Sequence, residues 1–180
     1  MNIYLVTSPI NFASEQDLIE NMYAFKPFSL HIRKPNFSER EMEKYLLSLA
    51  PEILENAVLH GFKDLSNDFG IQNREQYFWR ESITELPEII PENSKYFLFS
   101  VFDSFSNPDK KGFLKSNSDL LKRFLEKNKE NLIGAGGIDS DNFEILKEIG
   151  FKNIALSGGI WNYADSVSVF KKWVHLGNFV

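Results

Sequence analysis

The sequence predicts an α/β fold, a TIM (β/α)8-type barrel that is shortened or irregular around its strand-five unit. Apolar segments of strand length alternate with amphipathic helical segments along the whole chain, which is typical of a parallel sheet. Two of the strand segments end in paired glycines, at the point where such a barrel holds a phosphate. Since 180 residues are enough for one domain with a substantial core, we predict a single domain over 1–180.

Residues 131–161 give the clearest example of this alternation. An apolar strand at 131–138 is followed by a helix at 141–150 and a second apolar strand at 153–156. Gly150 stands where a left-handed residue closes a helix. Because the helix is short, the two strands are expected to be parallel neighbours joined by a right-handed crossover.

The strands of this unit end in Gly136-Gly137 and in Ser157-Gly158-Gly159. Consecutive glycines let the backbone approach a ligand closely and aim successive N–H groups at an anion. The pattern occurs twice at the same structural point, so we interpret both loops as phosphate-binding. The alternative is that the glycines only make tight turns between strand and helix.

Seven strands are predicted, near residues 2–8, 28–33, 57–62, 70–72, 95–102, 131–138 and 153–157. Helices are predicted at 14–24, 38–49, 63–69, 118–128, 141–150 and 164–176, with capping boxes at Ser14/Asp17 and Ser38/Glu41. Eight strands would close the barrel, and the missing one is expected within 73–94, where we find no clear apolar strand. An open barrel would leave unpaired strand edges, which further copies of the chain could cover as a homo-oligomer.

Composition excludes several classes of protein. Hydrophobic residues make up 43% of the chain, and the net charge of −5 argues against a nucleic-acid partner. There is no cysteine, which excludes disulfides and thiolate chemistry. The first residues lack the features of a signal peptide, and no apolar run reaches membrane-spanning length. We therefore predict a cytoplasmic protein with no membrane partner.

Four chemically useful side chains lie at or near predicted strand ends. Arg33 ends the second strand and Lys34 follows it, where the carboxyl end of a barrel strand carries functional residues. His60 ends the third strand and is either a general acid or base or a structural histidine. His31 lies within the second strand and could simply be packed there.

A series of short motifs resembles the family of thiamine-phosphate synthase and the thiazole tautomerase TenI. The motifs are HIRKP, VLHGF, FGIQ, FLFSVFDSFSNPDKKGF, IGAGGI and GFKNIALSGGIW, in that order. The resemblance implies a TIM barrel that binds small phosphorylated heterocycles. It also implies a transferase that couples hydroxymethylpyrimidine diphosphate to thiazole phosphate with magnesium and releases pyrophosphate. In the tautomerase the thiazole carboxylate phosphate is rearranged instead.

The resemblance assigns roles to the strand-end residues. Arg33 matches the arginine of a Q-x-R-x-K stretch that handles the diphosphate, and His31 replaces the glutamine. The lysine of that stretch is Pro35 here, with Lys34 adjacent. Lys110 or Lys111 matches a pyrophosphate-binding lysine, although both could belong to a solvated loop.

The resemblance also implies which loops bind phosphate. One family loop matches Gly136 or Gly137, and the last phosphate loop matches Ser157, Gly158 and Gly159.

The chain departs from the family pattern at the positions that bind the metal in the family. His60 and Gly61 replace an Asn-Asp pair, and Glu75 is the one carboxylate in the region of a second metal-binding aspartate. Mg²⁺ usually needs one or two carboxylates together with phosphate oxygens, so this departure removes most of its protein ligands. Three hypotheses stay open: a synthase, a non-catalytic phosphate-binding relative, and a TenI-like isomerase.

Overall fold

The structure is a computed structural model that describes residues 1–71, 76–103, 112 and 114–180. Its helices and strands, in chain order, are β1 (Asn2–Val6), α1 (Glu15–Phe25), β2 (Leu30–Ile32), α2 (Glu39–Leu47), α3 (Pro51–Leu54), β3 (Val58–Leu59), α4 (Lys63–Asp68), β4 (Gln76–Arg80), β5 (Ser94–Leu98), α5 (Leu114–Asn128), β6 (Leu132–Ala135), α6 (Phe143–Ile149), β7 (Asn153–Leu156), α7 (Gly158–Trp161), α8 (Ser166–Leu176) and β8 (Asn178–Phe179). A 3-10 turn follows β4 at Ile83–Glu85. Within these described ranges, no helix combines the length and apolar character needed to cross a membrane.

The chain divides into two compact units, and the first comprises Met1–Ile3 and Arg74–Gly159. Its strands β4, β5, β6 and β7 pair in parallel, each with the next. The start of β1 joins them, since the N–H of Asn2 donates to the carbonyl of Lys152 just before β7. Strands β6 and β7 are buried along their whole length and, apart from Asn153, are apolar, which suits a parallel sheet.

The second unit comprises Tyr4–Asn73 and Ile160–Val180. Here β1, β2 and β3 pair in parallel, with Val6 opposite His31 and His31 opposite Val58. Strand β8 also pairs with β1. Helix α1 packs on α8, and the core between helices and strands contains large buried side chains such as Met22 and Trp173.

The hydrogen-bonded strand order is β3-β2-β1-β7-β6-β5-β4, with β8 paired to β1. The predicted α/β fold with a parallel sheet is confirmed. The sequence left open whether the barrel closes; among the described strands it does not close, because β3 and β4 end this order. The strand predicted at 70–72 is also wrong for Gly70 and Ile71, since Gly70 has a left-handed φ of +64° that interrupts an extended chain.

Strand β4 lies within 73–94, so the prediction that the missing strand is in this region is confirmed, although its sequence shows no clear apolar strand. Its three middle residues are aromatic rather than aliphatic, and their rings contact the aromatic rings of β5. Phe78 stacks on Tyr96 with ring centroids 4.8 Å apart, and Trp79 stacks on Phe97 at 4.0 Å. Such cross-strand ring pairs stabilise a sheet without the aliphatic alternation that we searched for.

The predicted helix ends were partly right. The capping box of α2 is confirmed, because the N–H of Ser38 donates to the Glu41 carboxylate and the Ser38 hydroxyl accepts from Glu41 N–H. Gly150 closes α6 at φ +108°, as predicted. The capping box at Ser14 is wrong, because the Ser14 side chain makes no cap hydrogen bond. The next residue, Glu15, is buried and has another partner.

Candidate functional site

In the second unit, polar residues lie at the carboxyl ends of β1, β2 and β3. The end of β1 is joined to the end of β2 by Thr7, whose hydroxyl accepts from Arg33 N–H at 2.9 Å. The end of β2 is joined to the end of β3 by His60, whose backbone N–H donates to the carbonyl of Ile32 at 3.0 Å. These bonds fix the backbone at Arg33 and His60, so both predicted site residues are held at neighbouring strand ends.

His31 and His60 contact each other directly. Nδ1 of His31 lies 3.0 Å from Nε2 of His60, and the edge of the Tyr4 ring packs on His31 with centroids 5.2 Å apart. His31 is fully buried, so a contact with a ligand would require its ring to move. His60 is partly exposed. The structure therefore brings these two predicted residues together, with His60 the more accessible.

Both imidazoles are neutral near pH 7. Burial lowers the pKa of His31 well below its ordinary value, and the neighbouring His60 adds to this. Burial, and then the charge of Arg33, lowers the pKa of His60 to about 3. A neutral imidazole has one donor and one acceptor nitrogen, so the bond between the rings has one donor and one acceptor.

Arg33 is the partly exposed cation at the end of β2. Burial lowers the pKa of its guanidinium from an ordinary value near 12.5, which still leaves it charged at neutral pH. A guanidinium can bind two oxygens of one phosphate at once. Of the residues predicted at the end of β2, Arg33 is therefore the best suited to bind an anion.

Lys34 has a different environment from Arg33. Its ammonium forms an ion pair with the carboxylate of Glu15, and both side chains are fully buried. The ammonium also donates to the carbonyl of Ile10 at 3.2 Å, while the other carboxylate oxygen of Glu15 accepts from Ser8 N–H at 2.9 Å. The ring of Tyr45 lies 4.8 Å from the ammonium. The pair therefore fastens the loop between β1 and α1 to the end of β2.

Burial and ion pairing act in opposite directions on Lys34 and Glu15. Burial lowers the pKa of Lys34 and raises that of Glu15, and the ion pair opposes both shifts. For Lys34 to contact a phosphate, a buried ion pair would have to break. The catalytic role of Lys34 stays a prediction, and sequence reasoning missed its partner. A signal was present, because Glu15 shares the buried face of α1 with Ile19 and Met22.

In the first unit, Gly136 and Gly137 follow β6 with left-handed φ values of +85° and +67°. A Cβ on Gly136 would lie 2.7 Å from the backbone nitrogen of Ser100, and one on Gly137 would collide with the carbonyl oxygen of Asp103. The side chain of Asn142 donates to the carbonyl of Gly137 at 2.7 Å. Close packing therefore requires glycine here, which supports the tight-turn alternative and leaves phosphate binding a prediction.

Ser157, Gly158 and Gly159 lie where β7 passes into the single-turn helix α7. A Cβ on Gly159 would collide with the carbonyl oxygen of Ile138, so this glycine is also needed for close packing. The first N–H groups of a helix have no partner within it, and those of Gly158 and Gly159 belong to this class. Phosphate binding at this loop stays a prediction.

The described residues contain no metal-binding cluster of three or more His, Asp or Glu side chains. Glu15 is paired with Lys34, and the carboxylate of Asp103 accepts from Gly112 N–H. Glu75, Lys110 and Lys111 lie outside the described residues, so their predicted roles, and that of Mg²⁺, stay predictions.

Comparison by sequence finds neither a matching protein-family model nor a matching curated protein. Comparison of structures finds thiamine phosphate pyrophosphorylase from Bacteroides thetaiotaomicron, with a TM-score of 0.70 and 19% identity over 98% of this chain and 97% of the other. The thiamine phosphate pyrophosphorylase from Pyrococcus furiosus matches with a TM-score of 0.65 and 14% identity over 97% and 94%.

A more distant match is orotidine 5'-monophosphate decarboxylase from Sulfolobus solfataricus, with a TM-score of 0.53 and 10% identity over 96% of each chain. At these identities, structural similarity establishes a fold and not a reaction. The resemblance found in the sequence is therefore confirmed at the level of the fold, in which this chain is similar to the thiamine phosphate pyrophosphorylases.

Proposed function

We propose that the chain binds a phosphorylated heterocycle and acts as a transferase of the thiamine-phosphate-synthase type. The main support is structural similarity to two thiamine phosphate pyrophosphorylases over nearly the whole of each chain. In this reaction hydroxymethylpyrimidine diphosphate is joined to thiazole phosphate and pyrophosphate leaves. The proposal assigns this chain the same pair of substrates.

Each proposed role rests on a described side chain or loop. Departure of a diphosphate builds up negative charge on the leaving group, which positioned cations stabilise. We assign that role to Arg33, because it is charged and partly exposed at the end of β2. We assign His60 a contact with substrate as an uncharged hydrogen-bonding group, since its low pKa keeps it neutral. The loops at Gly136-Gly137 and Ser157–Gly159 are proposed to bind phosphate.

A turnover assay tests this proposal. The purified chain is incubated with both phosphorylated precursors and Mg²⁺, and thiamine phosphate is measured by chromatography. Arg33→Ala is expected to lower kcat about 10²–10³-fold, the usual effect of removing a group that stabilises developing charge. Arg40→Ala is the matched control, because Arg40 is exposed on α2 and is expected to leave turnover unchanged.

A second candidate is favoured by the environment of Lys34. Its ammonium is committed to Glu15, and His60-Gly61 stands where the synthases have Asn-Asp, so less charge is available for diphosphate and metal. A TenI-like isomerase, or a non-catalytic relative that binds thiazole phosphate, would tolerate both changes. Conversion of the thiazole tautomer, followed by chromatography, identifies the isomerase. A rise in melting temperature with thiazole phosphate, without turnover of either kind, identifies the binding protein.

A further inference from the structure

We infer that His31 is a positioning residue for His60: through the bond between their rings it fixes the orientation and the tautomer of His60. The inference rests on the proposed function in one respect, the contact between His60 and a ligand. In the sequence, His31 takes the place of the glutamine in the family stretch that handles the diphosphate, or is simply packed in its strand. The structure instead suggests that His31 acts through another histidine.

The surroundings of His31 support an indirect role. Its side chain is fully buried, and its strand is paired on both sides, with Val6 on β1 and Val58 on β3 opposite it. Tyr4 packs edge-on against its ring. A ring held in this way has little freedom to turn toward a ligand, whereas its Nδ1 is already 3.0 Å from Nε2 of His60.

The chemistry of the pair explains what His31 would control. Nε2 of His60 is bonded to His31, and in a neutral ring only one of Nε2 and Nδ1 carries the proton. If His31 donates, His60 carries its proton on Nδ1 and is a donor toward the ligand. If His31 accepts, the proton is on Nε2 and Nδ1 is an acceptor. The bond thus links the two rings, so that the tautomer of His31 decides whether Nδ1 of His60 is a donor or an acceptor.

The charged and titratable groups around the pair favour neutral rings. The charge of Arg33, at the end of β2, disfavours a positive charge on His60. The ring of Tyr4 on β1 packs edge-on against the ring of His31. Burial acts in the same direction on both imidazoles. The two rings are therefore neutral and share one hydrogen bond. Only a neutral imidazole has tautomers, because a protonated ring carries a hydrogen on both nitrogens.

Nitrogen-15 NMR of the imidazole rings tests the inference without any ligand. The chain has three histidines, and exposed His175 on α8 is assigned by comparison with His175→Gln, which also serves as the control for an unrelated substitution. We expect His60 to show one neutral tautomer in the wild type between pH 5 and 8. His31→Phe keeps an aromatic ring but removes the bond, so His60 should become a mixture of tautomers. His31→Gln, which can still bond to Nε2, should restore a single tautomer.

The same tautomer for His60 in His31→Phe and the wild type would overturn the inference. Circular dichroism verifies that each variant is folded, and His31→Gln keeps the test valid if His31→Phe does not fold. If His31→Phe does not fold, the contradicting result is a mixture of the two neutral tautomers of His60 in the wild type.

Turnover gives a second, independent readout. We expect His31→Phe to lower kcat about 10–100-fold with little change in KM, the range typical of residues that orient a functional group, and His31→Gln to recover most of it. Unchanged kcat in folded His31→Phe would contradict the positioning role. If the wild type shows neither turnover nor a ligand-induced rise in melting temperature, the proposed function fails. The tautomer result alone then decides the inference.

Discussion

At the scale of single residues, the Glu15–Lys34 pair is the most consequential contact. Both groups are fully buried, so removing one leaves the other charge without compensation. We expect Glu15→Gln to lower the free energy of unfolding by about 3–5 kcal/mol, measured by chemical denaturation. The double variant Glu15→Gln/Lys34→Met should recover part of that loss, because no charge then remains buried.

The control is the exposed pair Glu144–Lys147 on α6, since exposed ion pairs contribute at most about 1 kcal/mol. An effect of Glu15→Gln no larger than that of Glu144→Gln would show that the buried pair does not stabilise the fold.

The two histidines make stability depend on pH. In the folded chain the pKa of His31 is well below 6.5 and that of His60 is about 3, whereas both titrate near 6.5 when unfolded. Below pH 6.5 the unfolded chain therefore binds protons that the folded chain does not, and stability falls as pH falls. Each histidine contributes a slope of up to about 1.4 kcal/mol per pH unit.

Denaturation between pH 7.5 and 5 tests this, with His31→Gln/His60→Gln as the comparison. The double variant should lose less stability over this window than the wild type. Equal losses would mean that the two imidazoles are not held neutral by the fold.

The residue scale also shows what the sequence can predict about the site. The positions of Arg33 and His60 at strand ends were predicted because strand ends can be located from local hydrophobicity. Glu15 was missed because its partner, Lys34, is 19 residues away along the chain. An acidic residue on the apolar face of a helix indicates a buried carboxylate that needs a partner, but it does not identify the cation that pairs with it.

At the scale of elements, β4 depends on aromatic stacking. Trp79 stacks on Phe97 at 4.0 Å and on Phe99 at 4.6 Å. We expect Trp79→Ala to lower the free energy of unfolding by about 3 kcal/mol, because it removes both ring contacts and the associated burial. Gln76→Ala on the same strand is the control, since Gln76 is exposed and should change stability by less than about 0.5 kcal/mol. Equal effects of the two substitutions would contradict the role of the stack.

Elements with a clear local pattern were predicted well, and those without one were missed. β7 and α6 follow from apolar spacing and from the glycine that closes the helix. α7 has four residues and β8 has two, so neither is long enough to show a period. β3 ends at Leu59, earlier than predicted, because Gly61 and Phe62 adopt left-handed φ values of +80° and +51°.

At the scale of the whole molecule, the alternation of strands and helices predicted the parallel sheet, but not its strand order. Pairing between strands distant in sequence decides whether a barrel closes, and no local pattern encodes that pairing. β3 and β4 end the observed order, so the predicted homo-oligomer remains a reasonable way to cover strand edges. Analytical ultracentrifugation is expected to give a mass above that of a 20.8 kDa monomer, and a monomer at high concentration would contradict this prediction.

The most direct measurement of the central claim is turnover of both phosphorylated precursors by the wild-type chain, with thiamine phosphate as the detected product. We predict product above the enzyme-free background, at least about 100-fold less of it with Arg33→Ala, and an unchanged yield with Arg40→Ala. No product from the folded wild type in the presence of Mg²⁺, or equal yields from Arg33→Ala and the wild type, would contradict the assignment of a thiamine-phosphate-synthase-type reaction.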